Sequence, residues 1–386
     1  MAAEGTERLN RAGAYVRQPE GFHAFLPKAL PPDPPLHVDA ELQALLSHAD
    51  QALGRLDGAV QILPNPDLFV LMFVRREAVL SSQIEGTQSS LRDLLRAEAN
   101  IHDPDRPRDV AEVVNYVAAL DHGIRALASG RLSASLMLAL HRRLLTGVRG
   151  ADLHPGKFRS DVVWIGPADA SLEDATFVPP PPAAVPHCIA DLERFLVASS
   201  TMPAVLKAGL MHAQFETIHP FFDGNGRVGR QLIVLSLCEQ GILHKPVLYL
   251  SHYLKAHRTE YYRRLQAVRD DGAWEEWLKF LVAGVADVAV ESTGTARAIV
   301  ALREEIRDDL LTHLGHAAAN ALRLSERLFD TPIVGVRQAS EFLGIGYAAA
   351  NRLVDRMVER DILVEVTGNA RNRRFACQRY IALFDD

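Results

Sequence analysis

Between Thr217 and Arg230 the chain reads TIHPFFDGNGRVGR, residue types that have little reason to meet unless they handle a phosphate. Gly224 and Gly226 flank Asn225 and ease the steric limits on a tight turn. The apolar run from Leu232 to Leu237 then reads as a helix that opens at this turn. A glycine-rich turn opening a helix offers unpaired N–H groups and the positive end of the helix dipole, an arrangement that favours an anion. Arg227 and Arg230, three apart, share a helix face and can fork onto phosphate oxygens. Asp223 is a hard oxygen ligand of the kind that holds Mg2+ against a nucleotide. His219, of a residue type whose pKa lies near about 6.5, can take a proton at neutral pH. The stretch lacks the Lys-Ser/Thr ending of a P-loop, so it does not support a Walker-type NTPase.

A second stretch needs explanation. A helix should follow Pro66, burying Leu71, Phe73, Val74, Ala78 and Val79, and Gly86 should end it. Glu85 then sits at the negative end of the helix dipole, which costs a few tenths of a kcal/mol if nothing positive answers it. It is either solvated or compensated by a cation from elsewhere. The next helix should begin at Ser90, with Asp93 as its capping-box partner.

From His219 to Arg230 the chain resembles the Fic (Fic/DOC) family motif, His-Pro-Phe-x-Asp/Glu-Gly-Asn-Gly-Arg-x-x-Arg, and every defined position is met. Ser81, Glu85 and Gly86 also fit the Ser/Thr-x-x-x-Glu-Gly/Asn motif of self-inhibited Fic proteins, placed before the core. The resemblance implies a mainly α fold: a Fic-type helical bundle with a short β-hairpin flap. It implies an adenylyltransferase, a nucleotidyltransferase moving AMP from ATP to a Ser, Thr or Tyr hydroxyl of a protein, this chain included. His219 would be the base and Asp223 the Mg2+ ligand. Phe222, Gly224, Asn225 and Gly226 would cradle the nucleotide, Arg227 and Arg230 would draw its β- and γ-phosphates into line, and His257 would lie near the base. Glu85 would pair with Arg230 and deny it to the γ-phosphate. The segments Val163, Trp164, Ile165 and Phe177, Val178 would form the flap that aligns a target strand. A homodimer is also implied. Removal of AMP by the same glutamate, transfer of another nucleotide, and a DNA-binding regulator built on a Fic body remain as alternatives.

The remaining sequence must position these groups. With 386 residues the chain can hold two or three cored domains. Its 23% charged and 48% hydrophobic residues are ordinary for a globular protein, and a net charge of −6 gives no overall bias toward nucleic acid. Three cysteines lie singly, without metal or disulfide spacing. No apolar leader or membrane span is read, so the expected location is the cytoplasm, away from membranes. The proline-rich residues 11–37 predict an extended arm; helices are expected over 109–127 and 133–145, with His141 on a surface. Four parts follow: 1–108 with the arm and inhibitory motif, 109–284 as the catalytic core, 285–330 as a helical connector, and 331–386. In the last, two helices about a Gly344–Gly346 turn precede a hairpin, which reads as a winged helix-turn-helix. Arg352, Arg356, Arg371, Arg373 and Arg374 could touch phosphates there, although Asp355, Glu359 and Asp361 dilute that charge.

Overall fold

The arm expected at the start of the chain folds back on itself. Strands β1 (Gly13–Arg17) and β2 (His23–Pro27) pair antiparallel with Tyr15 opposite Phe25, whose rings meet edge to face at 5.1 Å. Burying Phe25 supplies the driving force that a proline-rich sequence conceals. The computed structural model describes residues 10–61, 66–101, 107–167, 171–199 and 201–385; the leader reading of residues 1–9 lies outside them.

Helix α1 (Ala40–Gln61) carries Leu42, Leu46, Ala49, Leu53, Leu56 and Val60 on one buried stripe. Helix α2 (Pro66–Ile84) is buried well beyond a single stripe, from Met72 through Leu80, and Leu71 is only partly covered. Ser90 caps α3 (Leu91–Glu98) in a reciprocal box with Asp93. Helices α4 (Val110–Leu127) and α5 (Ala134–Leu144) pack as an antiparallel pair, α5 capped by Ser133. After the flap region come α6 (Val185–Val197), α7 (Ala204–Ile218) and α8 (Asn225–Glu239). Then follow α9 (Ser251–Ala256), α10 (Arg258–Asp271), the 40-residue α11 (Trp274–His313) and α12 (Ala318–Leu328).

Helix α7 is the centre of the bundle. Every side chain from Val205 to Ile218 is buried, so it packs on all sides rather than on one face. Two of its polar members find partners inside the bundle: Lys207 donates to the Leu196 carbonyl at 2.7 Å, and His212 Nε2 meets the Tyr261 hydroxyl at 2.8 Å. Gly209 lets α11 approach, since a Cβ there would lie 2.7 Å from Leu278. Helix α11 runs unbroken across position 284 and lies along α1, so the connector expected at 285–330 starts as a continuation of a core helix.

The C-terminal unit holds β3 (Ile333–Gly335), α13 (Val336–Leu343), α14 (Tyr347–Glu359), β4 (Val364–Glu365), β5 (Arg374–Ala376) and α15 (Gln378–Ile381). Its sheet is antiparallel in the order β3-β5-β4, with Ala376 opposite both Ile333 and Val364. It docks on the α2–α3 segment. Phe384 meets Phe73 edge to face at 5.1 Å, Arg75 donates to the Asp330 carbonyl at 3.1 Å, and Arg92 pairs with Asp385 at 2.6 Å.

Candidate active site

The turn between α7 and α8 places the chemistry. His219 ends α7 in the left-handed region, φ 47 and ψ 62, with its N–H on the Phe215 carbonyl at 2.9 Å. A non-glycine residue there is strained, and its surroundings hold it: Arg159 Nε donates to the His219 carbonyl at 2.8 Å, and the same guanidinium reaches the Pro180 carbonyl. Both polar atoms of Asn225 then close the loop, Oδ1 accepting from Phe221 N at 2.9 Å and Nδ2 donating to Phe221 O at 2.8 Å. Gly224 takes φ +80 as the residue preceding α8. The first turn of α8 therefore opens beside the imidazole.

His219 lines a cavity of about 400 Å³ with Glu85, Ile165, Gly226, Arg230, Tyr262 and Arg269. Burial, reinforced by the Arg269 and Arg159 guanidinium groups, pushes its pKa down to about 3, so the ring is neutral at physiological pH. Its buried Nδ1 has no well-aligned hydrogen-bond partner among the described residues. Arg269 sits with its guanidinium 3.9 Å from the Phe177 ring centroid and donates to the Glu216 carbonyl at 3.2 Å.

Arg230 is 2% exposed and reaches α2: Nε donates to Ser81 Oγ at 2.8 Å, and Nη2 to the Ser81 carbonyl at 3.0 Å and to Glu85 Oε1 at 2.6 Å. This is the cation that answers the charge of Glu85 against its own helix dipole. Burial works against ionising Glu85, but Arg230 overrides it by charge and hydrogen bond, holding the carboxyl below its ordinary value. Gly86 takes φ +95 and lets the chain leave α2 directly afterwards. A Cβ on Gly226 would lie only 2.2 Å from Glu85 Oε1, so the carboxylate rests on the first turn of α8. It occupies the place where a helix N-terminus would receive a phosphate.

Several sequence expectations change. Arg227 does not face the cavity with Arg230. It is fully buried and turns to α4, where Nη1 meets Glu112 at 2.8 Å, while Nη2 lies 3.4 Å from Asp223. Three residues on a helix are about 60° apart in azimuth, enough for the two side chains to diverge. The Asn225 side chain is spent on the loop, leaving only its backbone toward an anion. His257 lies tilted against the Tyr253 ring at 4.2 Å, bonds to the Tyr253 carbonyl and is absent from the cavity lining; Tyr261, Tyr262 and Leu265 stand there instead. Phe222 is half-exposed near His154, at 6.2 Å between rings.

The flap reduces to one antiparallel bridge, with Ile165 and Phe177 exchanging hydrogen bonds of 2.8 and 3.0 Å. Phe177 and Val178 are buried, and the Val178 carbonyl accepts from Phe25 N at 2.9 Å. That side is closed by β2, so only the outer side, with Val163 and the 44%-exposed Trp164, is left for another strand.

Other residues of the site had no role assigned from sequence. His141, expected on a surface, is fully buried and stacks on Phe221 at 3.8 Å with ring planes 8° apart. Its Nδ1 accepts from Gly156 N at 2.9 Å, so Nε2 carries the proton and donates to the Asp223 carbonyl at 3.1 Å. Burial lowers its pKa to about 4. Glu77 on α2 is buried and accepts from Tyr116 Oη, Ser251 N and Ser251 Oγ at 3.1, 3.0 and 2.5 Å. Burial raises its pKa to about 7 despite those donors. Glu216, raised to about 7 by burial, lines the cavity beside Arg230 and Arg269.

No cluster of three or more metal-ligating side chains occurs among the described residues. Asp223 offers a single carboxylate whose Oδ1 already accepts from Gly224 N at 2.6 Å, and its Oδ2 makes no hydrogen bond among the described residues. That donor set fits Mg2+ held through one carboxylate and a substrate's phosphates, not a cage built by protein alone. No helix among the described residues is long and apolar enough to cross a membrane.

Residues 43–125 match the model described as Fic/DOC family N-terminal, and residues 131–237 match that described as Fic/DOC family. A protein of Aquifex aeolicus (strain VF5) named "Probable protein adenylyltransferase" is 31% identical over 196 residues, 49% of this chain and 56% of that protein. "Protein adenylyltransferase Fic" of Drosophila yakuba is 33% identical over 147 residues, 38% of this chain and 26% of that protein. This chain thus spans well under two thirds of either relative's length. Among solved structures, a Fic family protein from Desulfovibrio desulfuricans G20 superposes with a TM-score of 0.57 at 19% identity, covering 89% of this chain and 97% of that one. A Fic domain containing signaling protein from Bacteroides thetaiotaomicron VPI-5482 gives 0.50 at 17% identity over 64% and 95%. Both likenesses are of fold. With the motif turn, the bundle around α7 and the two matched regions in tandem, the chain belongs to the Fic/DOC family.

Proposed function

We propose that this protein is an adenylyltransferase that moves AMP from ATP to a hydroxyl of a protein and is held off by its own Glu85. The observation that carries the reading is the neutral His219 at a cavity that also contains Arg230 and the open turn of α8. Protein relatives named adenylyltransferase support the same chemistry. In the reaction the acceptor oxygen bonds to the α-phosphorus, the bond to the bridging oxygen of the β-phosphate breaks, and pyrophosphate leaves. His219 takes the hydroxyl proton. The α8 N–H groups hold developing negative charge, as in other phosphoryl transfers where positioning and electrostatics dominate. Mg2+, held at Asp223 together with the nucleotide, would supply charge neutralisation for the triphosphate. The low pKa of His219 comes from burial and from the Arg269 and Arg159 guanidinium groups; a triphosphate beside it would bring negative charge that raises it toward a useful basicity.

Glu85 is set against this by geometry. Its carboxylate neutralises Arg230 and lies on the α8 turn, so a triphosphate must displace it from both. The outer flap side with Trp164 is where a target segment would align. Replacing His219 with Ala in a Glu85→Gly chain should leave ATP binding intact and lower AMP transfer about 10²–10⁴-fold, read by intact mass. Transfer sustained at the parent rate would refute the assignment.

A further inference from the structure

We infer that the C-terminal unit carries a second site, for duplex DNA, separate from the nucleotide cavity. A cleft of about 980 Å³ lies between the start of α13, the start of α14 and the loop joining β4 to β5, with Asn100 and Ile101 on its rim. Arg337, Arg371, Arg373 and Arg374 line it against a single lining carboxylate, Glu341. The sequence alone pointed to a diluted charge here, because Asp355, Glu359 and Asp361 alternate with the arginines. In the folded unit those acids fall outside the cleft lining, and only Asp355 reaches a lining arginine.

The four arginines divide by role. Arg374 Nη1 donates to Gln338 Oε1 at 2.7 Å, which ties the hairpin to α13. Arg373 Nη2 bridges to α14 through Asn351 Oδ1 at 3.0 Å and Asp355 Oδ1 at 3.4 Å. These two fix the walls. Arg337 and Arg371 are exposed and have no carboxylate partner among the described residues, so their charge faces outward unneutralised. Arg356 and Arg360 take no part: the first donates to the His313 and Leu314 carbonyls and the second pairs with Asp309.

The shape fits a duplex. Gly344, at φ +69, turns the chain from α13 into α14, whose first residue, Tyr347, is 60% exposed. Asn351 follows one turn later on the cleft side. An exposed helix start of this kind enters a major groove about 12 Å wide, where its first turns meet base edges. The flanking loop then brings Arg371 onto the phosphates, whose contacts position the protein and supply affinity. A disordered acidic protein would answer the charge, but it would not need the protruding α14 start framed by a basic hairpin.

The test uses the full chain and a fluorescein-labelled duplex of about 20 base pairs, followed by anisotropy between about 50 and 200 mM salt. Affinity should fall with salt, with a log–log slope of about 3–4 if four phosphates are neutralised. The double variant Arg337→Gln/Arg371→Gln, which removes two charges that no other side chain depends on, should bind at least tenfold more weakly with a slope smaller by about two. Its ATP-dependent transfer should match the parent. Absence of binding at the lowest salt, or affinity and slope unchanged in the double variant, would overturn the site. So would displacement by poly-glutamate as effective as unlabelled duplex at equal charge, which would make the occupant an acidic protein.

Discussion

Glu85→Gly removes one of two claimants on Arg230, and the structure sets the size of the effect. Arg230 Nη2 and Glu85 Oε1 are in contact at 2.6 Å, and unit charges separated by about 4 Å at an effective dielectric of about 20 interact by about 4 kcal/mol. Glu85 keeps 30% of its side chain exposed, and water can partly replace it, so about half of that is a fairer figure for the bias against a triphosphate. Some 2 kcal/mol corresponds to about a 30-fold gain in initial rate at limiting ATP. Arg230 should stay in place, because its bonds to Ser81 Oγ and the Ser81 carbonyl do not involve Glu85. It becomes a buried cation that has lost its ion-pair partner, so the free variant should unfold at lower temperature than the parent, and Mg-ATP should restore more stability to the variant than to the parent. The assay is intact-mass detection of added AMP on the chain itself, run with each nucleoside triphosphate and Mg2+, beside a melting curve with and without ATP. Equal initial rates and equal ATP-induced shifts in the two chains would refute the inhibitory role of Glu85.

Acid should not release the inhibition. The folded-state pKa of Glu85 lies below its unfolded value of about 4.3, so the stabilisation from its pair is full above that value and is lost only as pH falls through the lower folded pKa. The ratio of parent to Glu85→Gly rates should therefore be flat from about pH 8 to 5; a rise toward pH 5 would contradict the ion-pair account. Glu77→Gln leaves one acceptor where the Tyr116 hydroxyl and two Ser251 donors converge, and sets an amide N–H against them. It should cost about 1–3 kcal/mol in urea unfolding and raise self-modification by loosening α2; an unchanged rate at lowered stability would confine Glu77 to stability alone. Arg227→Gln should cost about 1–3 kcal/mol, because it leaves the buried Glu112 only its longer 3.3 Å pair with the exposed Arg149, and adding Glu112→Gln should recover part of that loss. An Arg227→Gln chain as stable as the parent but defective in ATP binding would return Arg227 to the phosphates.

Much of the site could be read from sequence because its signals are local. A glycine before a helix and a capping box are each encoded within a few residues, and Gly224 and Ser90 stand where those signals placed them, whereas the left-handed backbone of the non-glycine His219 is held by the distant Arg159 and left no local sign. Glu85 was legible in part: its position against the helix dipole left it either solvated or answered by a distant cation, and only the motif resemblance named Arg230, which it contacts. What stayed hidden depends on which way a side chain turns after its helix is placed. Arg227 and Arg230 look equivalent in sequence, yet one faces α4 and the other α2. His141 did leave a trace. It falls in step with Met137, Leu140 and Leu144 on the buried stripe of α5, and the two arginines after it masked that periodicity. Phe25 could not be foreseen as a neighbour of the flap, since nothing local ties residue 25 to residue 178.

The docking of Phe384 on Phe73 makes α2 a shaft loaded near its middle and at its C-terminal end. The middle sits beneath the C-terminal unit, and the residue that follows the last turn, Glu85, enters the cavity twelve residues and about 18 Å further on. A helix buried on most of its surface transmits displacement better than it absorbs it, so a push at Phe73 arrives at Glu85 as a shift of the whole rod. Cutting the chain before residue 331 would strip the cover from Phe73 and disturb the latch along with the domain. In this molecule the C-terminal unit and the proposed Glu85 latch share one mechanical part.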